Sequence, residues 1–249
     1  MRYRMTVLIA LCLAVGGAAP AHADGTDQAI ETGRLLAILL DAGRVTVGLH
    51  QDLLNDPSKG QKNFTAPAFE KQLLAVFRER TGIDLSDLTA APISAEARTL
   101  LARLLEESRK TIDSYQTVIN MPGIRYKGLI PATFGTETAK RFQNWSGVYL
   151  KQTAPESLLR NPKNKPDEYE TAAFEKLTDP AFARTRNAII SEVVDDGKTL
   201  RVMLPLYYGK ACLSCHGEPK GERDISGYPR EGAKEGDLGG AISVKIPVK

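Results

Sequence analysis

Five residues near the C-terminal end, Cys212-Leu213-Ser214-Cys215-His216, constrain this chain more than any other stretch. Two thiols two residues apart, with an imidazole directly after, must be presented together on one short turn. That spacing is the attachment signature of c-type haem. The thiols add across the two vinyl groups, and the neighbouring imidazole supplies an axial ligand to iron. A redox dithiol or a structural disulfide accounts for the cysteines but not for the histidine. A zinc site built from Cys212, Cys215, His216 and His50 would require adjacent Cys215 and His216 to bind one tetrahedral ion. Haem attachment accounts for all three residues, and one covalent haem c per chain is the cofactor expected.

The other end of the chain bears on the same motif. Arg2 and Arg4 precede an apolar run from Val7 to Val15, and Ala21-His22-Ala23 offers a cleavage site before Asp24. Residues 1–23 therefore read as a signal peptide, too short in its apolar run to span a bilayer comfortably. The expectation is an exported, soluble, periplasmic protein with no membrane span after cleavage. Cleavage removes Cys12 and His22, leaving Cys212 and Cys215 as the only thiols and His50 and His216 as the only imidazoles. The formal charge of +3, from 33 basic and 30 acidic residues, gives no reason to expect a nucleic-acid or anionic-membrane partner.

Residues 24–249 read as one domain with a helical part, 24–122, and a mixed part, 123–249, that carries the motif. Leu36, Leu40, Gly43, Val47, His50 and Leu54 recur at spacings of four and three, predicting a helix over 27–55 with these residues on one face. Phe69, Leu73, Leu74 and Phe77 mark a second helix that stops near Gly82. Ser94 caps a third, which runs to Asn120 before Pro122-Gly123. Beyond it, 124–131 suggests a short strand, Glu137–Trp145 a short helix, and Val148–Thr153 a strand. Asp167 caps a helix ending at Leu177. Ile189–Val194 and Thr199–Leu204 flank Asp195-Asp196-Gly197-Lys198 as a hairpin. Residues 217–237 read as an exposed loop, and 239–248 as a closing strand. The fold class expected is α+β: an antiparallel, sensor-type sheet with short helices behind an N-terminal layer of long ones.

His216 is the expected proximal ligand. Opposite it, His50 is the first candidate, since it sits on an apolar helix face and is the only other imidazole left. Met203 and Met121 are alternatives, and an open sixth site would admit a diatomic gas such as NO or CO. Arg160, Lys151, Arg125 and Lys127 are candidate partners for the haem propionates. Tyr207 and Tyr208 lie close enough to the motif to pack on the macrocycle or to fill the sheet core.

Further segments connect the motif to a family. Lys127-Gly128-Leu129-Ile130-Pro131-Ala132, Lys151-Gln152-Thr153, Arg160-Asn161-Pro162, Pro166-Asp167 and Glu170 belong to the pattern, as do Pro205, Tyr207-Tyr208, Pro219-Lys220-Gly221-Glu222, Gly227-Tyr228-Pro229 and Gly239-Gly240-Ala241-Ile242-Ser243. With them the chain resembles the Tll0287-like family of exported c-haem domains, formerly a domain of unknown function. The resemblance implies a PAS-like sensor fold with covalently bound haem, and carries over to Cys212, Cys215 and His216. Related domains serve as extracytoplasmic inputs of chemoreceptors and sensor kinases, whereas here no span or signalling module is expected after the domain. Sensing would therefore need an unidentified periplasmic redox or signalling partner. Some relatives use a cysteine as sixth ligand, and the mature region has no third one. The function expected is redox or small-ligand sensing, or electron transfer. The alternative class is an enzyme, either a thiol-disulfide oxidoreductase using Cys212 and Cys215 or a small haem peroxidase.

Overall fold

The computed structural model describes residues 21–182 and 188–248. The expected signal peptide therefore lies almost wholly outside the described residues. In chain order the elements are α1 (Ala21–Leu49), α2 (Gln51–Leu54), α3 (Ala66–Thr81), α4 (Ala95–Ser114), α5 (Gln116–Ile119), α6 (Pro131–Ser146), β1 (Tyr149–Thr153), α7 (Glu168–Thr178), β2 (Ile190–Val194), β3 (Thr199–Tyr207), α8 (Leu213–His216) and β4 (Leu238–Pro247). The class is α+β, as the sequence predicts.

Helix α1 is the centre of the packing. Every residue from Leu35 to Leu40 is fully buried, so this stretch is covered all round rather than along one stripe. The sheet covers one side through β3 and β4, and α3, α4 and α6 cover the other. Close approach on both sides needs small residues. A Cβ at Gly33 would come within 2.8 Å of Val202 on β3, and one at Gly43 within 2.5 Å of the buried Phe134 ring on α6. The helix breaks at His50 and resumes as the short α2.

The sheet is antiparallel throughout, in the order β1-β4-β3-β2. The β2–β3 hairpin forms as its Asp-Asp-Gly turn requires, with Asp195, Asp196 and Gly197 all at positive φ. Period-two alternation then sorts the strands into two faces. Leu200, Val202, Leu204, Ile242, Val244 and Ile246 join the large core around α1. Met203 and Ala241 face the other way, under Ala173, Phe174 and Leu177 of α7.

Helix ends follow their local chemistry. Thr65 and Ser94 accept from the backbone at Ala68 and Ala97, and α3 ends on Gly82 in the left-handed region. Asp167 and Glu170 form a complete capping box at the start of α7.

Two expectations fail. Residues 124–131 form no strand: Gly123 and Gly128 turn at positive φ, and Pro131 opens a helix instead. The following helix is accordingly longer than its apolar residues indicate, beginning at Pro131 and containing Gly135. A Cβ at that glycine would meet Gln152 Oε1 at 2.7 Å and Arg44 Cδ at 2.9 Å, so those two side chains would have to shift.

Substituting Gly43→Ala adds a strong helix former to a helix interior, yet the buried Phe134 ring cannot give way. The expected result is a net loss of about 1–3 kcal/mol in a denaturant titration, against the propensity gain of about 1 kcal/mol for an open helical site. The Asp167 carboxyl is opposed by burial, but bonds from the Glu170 amide and Arg201 outweigh this and hold it below its ordinary range. A depressed carboxyl stabilises above its unfolded pKa of about 3.9 and loses that contribution as pH falls through the folded value. Asp167→Ala should cost about 1 kcal/mol at neutral pH, a capping value, because solvent screens the Arg201 pair. The gap between variant and wild type should close when the titration is repeated in acid.

Candidate haem-attachment site

The motif follows β3 directly. A tight turn over Lys210–Cys212 leads into the one-turn helix α8, with Cys212 and Cys215 as free thiols, both partly buried. Burial pushes the Cys215 thiol above its ordinary value, the opposite of what a nucleophilic thiol needs.

The His216 ring stacks on Tyr208 at a centroid separation of 4.7 Å. Its Nδ1 lies 2.9 Å from Glu231 Oε2 and 3.3 Å from the Tyr208 hydroxyl. Burial, with Arg160 nearby, lowers the imidazole pKa below its ordinary value, so the ring is neutral at pH 7. A neutral ring beside a carboxylate donates from Nδ1, which leaves Nε2 with its lone pair. Burial also opposes the Glu231 charge, but hydrogen bonds from Arg160 and His216 outweigh it and hold that carboxyl below its ordinary range.

Residues 217–237 are exposed in part, as expected, but they are folded back onto the motif. Asp224 Oδ1 accepts from the Ser226 and Tyr228 amides and the Ser226 hydroxyl, forming a local turn. The Gly221 amide donates to Arg230 and the Arg230 amide to Glu222, while the Ala233 amide donates to the His216 carbonyl at 2.8 Å. Arg160 closes the arrangement from the β1–α7 connection. It donates to Glu231 at 2.7 and 2.9 Å, to Asp224 at 2.6 Å and to the Cys215 carbonyl at 2.9 Å.

Each of the three guanidinium nitrogens of Arg160, expected as a propionate partner, donates to a protein acceptor here. Lys127 is buried, its ammonium on the Met121 carbonyl, and Lys151 is spent on Glu170 and the Lys165 carbonyl, beside α7. Arg125 differs. It lines a cleft of about 760 Å³ together with Asn55, Pro57, Tyr126, Cys215, Ile225, Arg223 and Arg230, and no carboxylate pairs with it among the described residues.

Large apolar side chains are left exposed on the two loops bordering this cleft: Met121, Ile124 and Tyr126 on one, Ile225 and Tyr228 on the other. These residues stand beside a cleft lined by Arg125, Arg223 and Arg230 and by Asp52, Asp56 and Asp224, and exposed apolar patches of this kind are where proteins commonly bind apolar groups. Cys215 is in the cleft lining, whereas Cys212 and His216 are not.

The distal candidates are placed elsewhere. His50 stays on the apolar stripe that the spacing identifies, but that stripe faces α3. Its Nδ1 donates to the Thr46 carbonyl, its Nε2 lies 3.3 Å from the Gln72 amide nitrogen, and the ring packs on Phe64. Gln51, Asp52 and Asn55, on another side of the same helical path, are the residues turned to the cleft. Met203 is buried under α7, on the sheet face away from α1. Met121 is exposed on the cleft-bordering loop. For the zinc reading, His50 is not in the cleft lining beside Cys215 and its ring is engaged by Thr46, Gln72 and Phe64, and among the described residues no cluster of three or more His, Cys, Asp or Glu is placed to hold a metal ion. Glu231 is the site residue that sequence reasoning missed. It lies fifteen positions beyond His216 in a segment whose Gly, Lys and Glu content reads as solvated surface.

Comparison with known proteins adds a family. A family model described as Tll0287-like matches residues 87–247, from just before α4 to the end of β4 and including the motif, with α1–α3 outside the match. Among solved structures, the crystal structure of the cyanobacterial heme-protein Tll0287 is similar at 18% identity, with 64% of this chain and 97% of that chain covered and a TM-score of 0.43. No curated protein matches. Because the family model takes in well over half of the sequence, the chain belongs to the Tll0287-like family.

Proposed function

We propose that the chain is a periplasmic c-type haem protein, with haem held covalently by Cys212 and Cys215 and His216 as an axial ligand. The observation that carries this reading is the state of His216. Its Nδ1 is committed to Glu231, so Nε2 is the free donor, in the same one-turn helix as the Cys215 thiol and directly after the turn that carries the Cys212 thiol. A metal-binding histidine whose other nitrogen donates to a carboxylate is the usual arrangement at a metal centre. The solved relative is a heme-protein by its title, and the cleft beside Cys215 has the apolar rim and the volume of a ligand site.

When bound, the haem would supply one-electron exchange at iron or a binding position for a small diatomic ligand. The protein residues would do the rest. Cys212 and Cys215 tether the macrocycle, Tyr126 and Ile225 offer it apolar contact, and Arg125, which has no ion-pair partner among the described residues although Asp52, Asp56 and Asp224 line the same cleft, offers the propionates a cation. We read the role as redox or small-ligand sensing, or electron transfer, with an unidentified periplasmic partner. No described helix is long and apolar enough to cross a membrane. A thiol-disulfide oxidoreductase is the weaker reading, because burial raises the Cys215 pKa rather than lowering it.

Full-length protein co-expressed with haem-attachment machinery should be coloured, with the pigment retained through acid-acetone extraction. The Cys212→Ser, Cys215→Ser double variant should lose all of it, and a colourless or fully extractable wild type would sink the proposal. The visible spectrum should be unchanged in His50→Ala, since that ring is engaged with Thr46, Gln72 and Phe64. A changed spectrum there would restore His50 as the ligand opposite His216.

A further inference from the structure

We propose that Glu231, held by Arg160, is the positioning residue of the haem ligand: it fixes the Nδ1–H form of His216 and strengthens Nε2 as a donor to iron. This rests on the haem reading above. The geometry is a short chain of charged hydrogen bonds. Arg160 donates from Nε to Glu231 Oε1 at 2.7 Å and from Nη2 to Oε2 at 2.9 Å, so the carboxylate is gripped at both oxygens. Oε2 in turn accepts from His216 Nδ1 at 2.9 Å. The same guanidinium donates to the carbonyl of Cys215, the residue before the ligand, and to Asp224, whose side chain is fully buried. One cation thus fixes both the ligand's hydrogen-bond partner and the backbone that carries the ligand.

A carboxylate on the far nitrogen makes an imidazole a more basic ligand. A more basic donor favours ferric over ferrous iron, so it sets the haem at a lower reduction potential than a neutral partner would. Mere stapling of the 217–237 loop would need the Arg160–Glu231 pair but would place no demand on the charge seen by His216.

The test uses full-length holoprotein, with covalent haem content measured first by pyridine haemochrome. Glu231→Gln keeps the size and removes the charge. Its midpoint potential is expected to shift upward, with altered g-values in the ferric electron paramagnetic resonance spectrum. Glu235→Gln, an exposed carboxylate of the same loop, should leave the g-values at wild type. If Glu231→Gln does not accumulate, Glu231→Asp is read instead: charge retained but reach shortened, it should shift the potential in the same direction by less. Unchanged potential and g-values at wild-type haem content, in whichever variant is read, overturn the positioning role alone. Wild-type protein without covalent haem overturns the haem reading itself.

Discussion

The structure depends on one helix being buried from every side. From Leu35 to Leu40 no residue of α1 reaches solvent, and a helix that is apolar all round can only sit inside a layered fold. Two layers form because of it: the four-stranded sheet on one side, and α3, α4 and α6 on the other. The close contacts at Gly33 and Gly43 set how near each layer comes. Where α1 ends, its continuation through α2 becomes a wall of the cleft, through Gln51 and Asn55. The site is thus an end feature of the central helix, placed by core packing rather than by its own contacts.

The motif turn owes its order to electrostatics instead. Arg160 is drawn from a connection far away in sequence, yet it engages Glu231, Asp224 and a carbonyl of the motif itself. Partial burial strengthens each of these bonds relative to water. Such a hub explains why a segment so rich in glycine and charge is folded at all, for it has little apolar surface to bury.

Much of this was legible in the sequence. The hairpin around Asp195–Lys198, the caps at Ser94 and Asp167 and the closing strand are local signals, and local signals survive into structure. What escaped was settled by tertiary geometry. Periodicity put His50 on an apolar face, correctly, but it gave no indication that this face meets α3 and not the cleft. The apolar residues 124–131 suggested a strand, whereas Gly128 and Pro131 made a turn and a helix start. Arg160 read as a propionate partner and Glu231 as part of an exposed loop because nothing in their neighbourhoods records a partner some seventy positions away. The signal that could have found Glu231 is chemical: a ligand histidine needs an acceptor for its second nitrogen, and nearby carboxylates are the first place to look.

The strand order has a consequence in time. Because β4 lies between β1 and β3, the last strand of the chain is an inner one, and the sheet cannot close until it is made. Helix α1 comes off the ribosome first, yet the strands that cover one side of it come last. Pairings between distant parts of a chain slow folding, since the loop must be closed before its contacts reward it. The segment carrying Glu231 also follows the cysteines in sequence. Until it and β4 are in place, Cys212 and Cys215 belong to an open strand end, less covered than the folded turn leaves them.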